Sequence, residues 1–315
     1  MANVFRHALP RPNNAIVYGV ALSAIAWQLP KIGPPIWAML TARLSWFEII
    51  VFVGFSIYMT VFWSLGLFYL WLDAVRESFK AGRAATRWRR SLGKFLADVS
   101  IQQPESTSSA SSHETPDVPL ARSVKVVLRN QLLGTWPMLV LLHWALTARG
   151  VSIGTPIPSA GVFLGQLAVM ILCEEFLFFS VHRAFHWRPL FRLFHRVHHE
   201  YRKPTGIATH YVHYVEHLIG NLLPVFSGVV LVGAHPLVIF VWTGLAVTNA
   251  IHTHGGYAFW GMPYAHDHDF HHFRLRGNYG SLGVLDWLFG TSREFRLLSA
   301  NTGARMRLDA KSKVT

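Results

Sequence analysis

Apolar residues in this 315-residue chain fall in long runs separated by polar stretches. A helix that crosses a bilayer needs about 20 mostly apolar residues. The runs at 46–72 and 160–180 have that length, while those at 15–30 and 132–147 are shorter. A further run at 218–251 contains proline and glycine, and we interpret it as a helical hairpin that turns near Gly233-Ala234-His235-Pro236. The pattern predicts an all-α, polytopic membrane protein with about four to six transmembrane helices.

Basic residues follow two of these runs directly. The first cluster, after the run at 46–72, extends from Arg76 to Lys94, and the second, after the run at 160–180, extends from Arg183 to Lys203. Because basic clusters beside a span mark the cytoplasmic side, both ends are predicted to face the cytosol. A Ser/Pro-rich stretch at 101–119 is predicted to be a disordered linker.

The composition fits a membrane protein better than a soluble one. Charged residues make up only 14% of the chain, and 29 basic against 16 acidic residues give a net charge of +13. Such an excess suits either an anionic membrane or nucleic acid. The basic residues flank apolar runs instead of forming a stripe on a soluble domain, which argues against a nucleic-acid partner. A single cysteine, Cys173, excludes an intramolecular disulfide.

Histidine gives the sharpest chemical signal. Of 18 histidines, 15 lie between His182 and His272, and eight of them form three short groups. Residues three or four apart on a helix share a face, so each group can direct two imidazoles to one metal ion or to neighbouring ions. Adjacent histidines point about 100° apart, which lets each adjacent pair serve two ions. The groups predict a site for two metal ions, whose element the ligand type alone does not choose; their members are His182, His186, His195, His198, His199, His268, His271 and His272.

Further residues near these groups are candidates for the same site. His213 and His254 are predicted as additional metal ligands, and Asp269 and Glu216 as carboxylates that hydrogen-bond to ligand imidazoles. Weaker or alternative candidates are His252 and His266 as ligands, His210 and His217 as supporting or packing residues, and Glu174 and Glu175 as supporting or substrate-facing groups. Four other histidines are expected to be structural or remote from the site: His7, His113, His143 and His235.

The segment 174–291 resembles the fatty acid hydroxylase/sterol desaturase superfamily of membrane di-iron oxygenases. The likeness is carried by EEFLFFSVHRAFH, FHRVHHEYRKPTGIATHYVHYVEH, THGGY and HDFHHFRLRGNYGSLGVLDWLFGT. Within the superfamily, it is strongest to C4-methylsterol oxidases and related fatty-acid-hydroxylase-domain proteins. The chain departs from the family pattern at His213-Tyr214-Val215-Glu216, where His-Pro-x-Glu is frequent, and at Thr209-His210, where sterol oxidases often have alanine-glutamate.

The resemblance implies a concrete set of properties. It implies a helical cytosolic cap with two iron ions, O2 as co-substrate, and electrons from NAD(P)H through cytochrome b5 and its reductase. The reaction implied is hydroxylation of a C–H bond, such as a methyl group, in a sterol or other lipid or isoprenoid; desaturation at the same site is the alternative. The implied location is the endoplasmic reticulum membrane, with the site facing the cytosol. The domains expected are membrane-anchor helices and linker at 1–130, a catalytic domain at 131–295 and a basic tail at 296–315.

Two further expectations concern the lipid and competing functions. Six aromatic residues are candidates for lining the lipid path or forming an interfacial belt: Phe185, Trp187, Phe191, Phe194, Trp260 and Phe270. Arg274 and Arg276 are candidates for contact with headgroups or an electron donor, or for a solvated surface. A metal transporter would require histidines or charges within spans along a path, and only His143 is placed that way.

Overall fold

The computed structural model describes residues 13–101, 118–259 and 265–299. Within these ranges the regular structure is helical, apart from one isolated bridge between Ser100 and Tyr257, so the predicted all-α class is confirmed. Predictions for His7, His113, Trp260, most of the linker and most of the C-terminal tail lie outside the described residues. The principal helices are α1 (Asn13–Thr41), α2 (Trp46–Lys80), α3 (Arg87–Val99), α4 (Leu120–Asn130), α5 (Trp136–Ala148), α6 (Ala160–Phe185), α7 (Tyr214–Val232), α8 (Pro236–His254), α9 (Ala265–Arg274) and α10 (Val284–Leu288).

Four described helices are long and apolar enough to cross a membrane, namely α2, α6, α7 and α8. The predicted run at 15–30 lies within α1, which contains Pro30, Pro34 and Pro35 and is not among the four. The predicted hairpin at 218–251 is confirmed. Gly233 ends α7 in the left-handed conformation with φ of 60°, and Pro236 begins α8.

The predicted run at 132–147 belongs to a longer crossing of the bundle. Helix α4 continues through a π-helical turn, Gln131–Thr135, into α5. At 1.5 Å per residue, the continuous helix at 120–148 extends about 43 Å. Asn130 Nδ2 donates to the carbonyl of His210 near one end of the bundle, and Thr147 Oγ1 accepts from Trp46 Nε1 at the other. Helix α4 contains charged residues and α5 is mostly apolar. The apolar run in the sequence therefore marks only the second part of this continuous helix.

This crossing brings the predicted histidine groups to one end of the bundle. Helices α2, α6 and α8 all finish at that end, α7 begins there, and α9 lies against the end of α8. Close packing supports the arrangement: a Cβ atom at Gly228 of α7 would lie 2.6 Å from Met170 Cα of α6. The apolar core between these helices includes Phe163, Leu167, Phe226 and Val238.

Candidate metal centre

Five structural elements deliver the histidines to one place. His182 and His186 lie one turn apart where α6 ends, and His195 closes a π-helical turn, Phe191–His195. His198 and His199 begin a short 3-10 helix, and His254 is the last residue of α8. The remaining three, His268, His271 and His272, lie on α9. Residues 90 positions apart therefore converge because the ends of α6, α8 and α9 meet.

The ring nitrogens of nine histidines form two groups, and within each group the potential ligand atoms lie within 4.8 Å of one another. The five-histidine group consists of His182, His186, His195, His199 and His271. The four-histidine group consists of His198, His254, His268 and His272. Nine of the ten histidines predicted as ligands are thus gathered in two sets.

Adjacent histidines are divided between the two groups. His198 belongs to the four-histidine group and His199 to the other, and the same division separates His272 from His271. The groups adjoin, since the ring centroids of His199 and His272 are 4.7 Å apart. This is the arrangement expected if each adjacent pair serves two neighbouring ions.

The distances between ring nitrogens fit a shared metal ion. In the five-histidine group, the Nε2 atoms of His195 and His199 are 2.9 Å apart, and those of His186 and His271 are 3.1 Å apart. In the four-histidine group, Nε2 of His268 lies 2.8 Å from that of His254 and 3.2 Å from that of His272. Ligands about 2.1 Å from an ion at angles of 90–110° are separated by about 3.0–3.4 Å. Both sets therefore have the donor atoms and spacing that a transition metal requires.

Outward-facing ring nitrogens hold several imidazoles in orientation. The Nδ1 atom of His182 lies 2.8 Å from the carbonyl of Tyr279, and that of His271 lies 2.7 Å from the carbonyl of Gly277. The Nδ1 atom of His254 lies 2.8 Å from the carbonyl of Ala250, and that of His272 lies 2.9 Å from the carbonyl of Tyr201. A carbonyl can only accept, so each Nδ1 carries the proton and each Nε2 lone pair faces inward.

Burial keeps these rings neutral and therefore able to bind metal. It lowers the pKa of His186 to about 2, and it lowers the pKa values of His195, His198 and His199 well below their ordinary value. The rings of α9 behave alike, with burial lowering the pKa of His268, His271 and His272. A neutral imidazole is the form that coordinates a metal ion.

The two predicted carboxylates differ in their surroundings. Glu216 Oε1 lies 2.7 Å from His195 Nδ1, and both side chains are buried. Asp269 is buried beside the positive charges of Lys203 and Arg76; burial raises its pKa to about 7, and the two charges oppose that rise. Among the described contacts of the nine rings, Glu216 is the carboxylate that meets a ring nitrogen.

His213 lies outside both groups. Its Nδ1 accepts from the backbone N–H of Val215 at 3.2 Å and caps the start of α7. The weaker candidates His252 and His266 are also outside the groups, with His252 hydrogen-bonded to Tyr69. His210 and His217 contact Tyr58 and Thr135, respectively.

Two acidic residues support the site from a distance. Glu175 accepts hydrogen bonds from the backbone N–H groups of Ser281, Leu282 and Leu285 at 2.8–3.1 Å. Asp286 accepts from the N–H groups of Tyr279 and Gly280. Together they fix the segment whose Tyr279 carbonyl meets His182. Asp286 was not among the predicted residues; its place in the segment NYGSLGVLD, where glycines and serine favour a turn, is the signal in the sequence.

A cavity of about 760 Å³ reaches both histidine groups. His182 and His195 line it from one group and His198, His254 and His268 from the other, while the rest of its wall is mostly apolar. Leu22 and Ile25 of α1 and Ile50 and Tyr58 of α2 also line it, so the N-terminal helices contribute to this space.

Only one of the described aromatic candidates for the lipid path lines this cavity, namely Phe185. Trp187 is 65% exposed, and Phe270 packs on Phe295. Phe191 stacks on His199, and Phe194 packs on His213. Most of these rings therefore pack against histidines or another aromatic ring, or lie exposed at the surface, and do not line the cavity. Arg274 and Arg276 both pair with Glu294.

Comparison with known proteins agrees with this geometry. Residues 167–291 match the family model described as fatty acid hydroxylase. The chain is 36% identical over 183 residues to human fatty acid hydroxylase domain-containing protein 2, covering 58% of this chain and 55% of that protein. It is 32% identical over 198 residues to very-long-chain aldehyde decarbonylase GL1-8 of Oryza sativa subsp. indica (59% and 73%). It is 31% identical over 184 residues to methylsterol monooxygenase 1-2 of Arabidopsis thaliana (55% and 61%). The matched region thus spans about half the length of the first of these relatives.

The chain belongs to the fatty acid hydroxylase/sterol desaturase superfamily. Its relatives are named hydroxylase, monooxygenase and decarbonylase, which are names of oxidoreductases. No solved structure matches the chain.

Proposed function

We propose that the protein is a membrane-bound di-iron oxygenase that uses O2 to hydroxylate a C–H bond, such as a methyl group, of a sterol or other lipid or isoprenoid. The observation that supports this most directly is the opening of both histidine groups into one largely apolar cavity. Such a space suits a hydrocarbon substrate, and five of the histidines line one part of it.

The nine grouped histidines would hold two iron ions, the five-histidine group one and the four-histidine group the other. Bound iron supplies the redox chemistry that activates O2. Glu216 keeps the proton of His195 on Nδ1, and the carbonyl of Tyr279 does the same for His182. Phe185 and the apolar wall exclude water and orient the substrate. His213, which caps α7, is left out of this ligand set.

Electrons are proposed to come from NAD(P)H through cytochrome b5 and its reductase. The histidine end of the bundle carries exposed basic side chains, which suit an acidic electron carrier; they are Arg183, Arg188, Arg192, Arg196, Arg202 and Lys203. Arg183 lies in the last turn of α6, and the other five basic residues follow this helix along the chain. By the positive-inside rule they support a cytosolic orientation, and we propose the endoplasmic reticulum as the membrane.

Desaturation at the same site is the second candidate, because abstraction of hydrogen begins both reactions. The test is turnover by the protein in nanodiscs with NADPH, cytochrome b5, its reductase and an extract of cellular lipids under 18O2. Hydroxylation predicts a product that gains one labelled oxygen. A product that lacks two hydrogens and carries no label would favour desaturation. A product shorter by one carbon would favour decarbonylation, the reaction in the name of the rice relative. Products that form equally without O2 would contradict both hydroxylation and desaturation.

A further inference from the structure

The cavity contains a polar pair that belongs to neither histidine group. Tyr58 of α2 and His210 both line it, and the Tyr58 hydroxyl lies 2.8 Å from His210 Nδ1. Each side chain is buried, with exposed fractions of 3% and 6%. Phe62 stacks on the His210 ring at 4.6 Å between centroids, which fixes the ring in place. The pair therefore presents polar atoms to the cavity, and Thr135 and Gln131 lie beside the Tyr58 hydroxyl.

Other polar side chains nearby already have partners. Thr209 donates to the carbonyls of Gly206 and Ala250, and Thr135 is 2.9 Å from His217 Nε2. His210 Nε2, in contrast, makes no hydrogen bond with another described residue. If Nδ1 accepts from Tyr58, then Nε2 carries a proton to donate; if Nδ1 donates, then Nε2 accepts. In either tautomer, the pair can satisfy an uncharged oxygen-containing group.

The charges on the cavity wall select against anionic ligands. Four acidic residues line it, and no lysine or arginine is among its described lining residues; the acids are Glu174, Glu216, Asp267 and Asp286. A carboxylate or phosphate bound at the Tyr58–His210 pair would meet no lysine or arginine of the described cavity lining, and burying such a charge costs far more than burying a hydroxyl. The wall therefore suits a neutral lipid.

The pair lies close to the four-histidine group. Thr209, the neighbour of His210 in the chain, donates to the Ala250 carbonyl at 3.0 Å, and the same carbonyl meets His254 Nδ1 at 2.8 Å. Two hydrogen bonds thus connect the segment of the polar pair to a proposed metal ligand. A lipid whose polar group binds Tyr58 and His210 would present carbon atoms near that polar group to the histidines.

We infer that Tyr58 and His210 form a recognition site for the single hydroxyl or carbonyl of a neutral lipid, and that this pair favours such a lipid over one with an anionic headgroup. The inference rests on the proposed function, since it assigns the substrate class of the same site.

The test measures binding rather than turnover. A photoactivatable diazirine derivative of 1-octadecanol is crosslinked to the full chain in nanodiscs, and the labelled residues are mapped by mass spectrometry. Unlabelled 1-octadecanol, octadecanoic acid and octadecane compete, at pH 8 and at equal concentration in the bilayer. Labelling of cavity residues is expected, with 1-octadecanol the strongest competitor and the other two weaker.

Tyr58→Phe removes the hydroxyl and keeps the ring. The measured quantity is the ratio of the competing strength of 1-octadecanol to that of octadecane. Because one hydrogen bond is lost, this ratio should fall about threefold to tenfold in Tyr58→Phe. Tyr214→Phe is the matched control, because the Tyr214 hydroxyl donates to the Leu133 carbonyl and Tyr214 does not line the cavity. A purely structural role for Tyr58 would weaken both competitors alike.

Equal competition by octadecanoic acid and 1-octadecanol, or an unchanged alcohol-to-alkane ratio in Tyr58→Phe, would overturn the inference. Metal content is measured on the same samples. Two bound ions without alcohol selectivity would refute the inference and leave the proposed oxygenase standing, whereas absence of metal would refute the oxygenase itself.

Discussion

Glu216 accepts a hydrogen bond from His195 at 2.7 Å, with both side chains buried beside the cavity. The carboxylate fixes the imidazole tautomer and increases its basicity as a ligand. Glu216→Leu should therefore weaken metal binding about 10-fold to 100-fold, and Glu216→Gln, which retains an acceptor, should weaken it less. Metal titration of the chelator-treated protein measures this. Glu294→Gln at the surface is the control, and an unaltered affinity in Glu216→Leu would show that the contact does not tune the site.

Glu175 stabilises the segment that supports His182. Glu175→Ala would leave three backbone N–H groups without their acceptor and should reduce the free energy of unfolding by about 3 kcal/mol. Thermal unfolding in detergent, followed by intrinsic fluorescence, measures the loss. Asp98→Ala should change stability little, because Asp98 is an exposed residue on α3. Equal melting temperatures for the two variants would contradict the role of Glu175.

Two glycines on neighbouring helices provide a matched test of the packing. Gly228→Ala places a methyl group 2.6 Å from Met170 Cα and should destabilise the protein by about 1–3 kcal/mol. Gly165→Ala meets no atom within 4 Å and should stabilise α6 by up to about 1 kcal/mol through its helix propensity. Opposite shifts in melting temperature are expected. A stable Gly228→Ala would mean that α6 and α7 are not packed this closely.

Removal of metal should destabilise the protein, since ions bind the native arrangement of imidazoles and the unfolded chain has no such site. At concentrations 100-fold above the dissociation constant, one ion contributes about 2.7 kcal/mol. Chelation should then lower the melting temperature by about 5–10 °C. Fe(II) should restore it and Ca²⁺ should not, because calcium prefers oxygen ligands. Recovery with calcium, or no change on chelation, would argue against the two imidazole sites.

The sequence predicts much of this structure because its signals are local. The histidine spacing predicts which rings share a helix face, and the turn at Gly233 and Pro236 follows from backbone preferences. The crossing at 120–148 was only partly predicted, since Arg122, Lys125 and Arg129 interrupt the apolar pattern of α4. The support that Glu175 gives to residues 281–285 depends on contacts between distant segments, which spacing along the chain does not encode. The cap formed by His213 is a local contact with Val215, but the histidine pattern alone does not distinguish it from metal ligation.

Metal content of the purified protein tests the central claim most directly. We predict two iron ions per chain for the protein isolated in detergent, measured by inductively coupled plasma mass spectrometry against quantitative amino-acid analysis. His271→Ala and His198→Ala, one from each group, should each reduce the content to about one ion and abolish turnover while the protein still inserts in the membrane, and His213→Ala should retain two. No metal or a single ion in the unaltered protein, or two ions in both the His271 and His198 variants, would contradict the account.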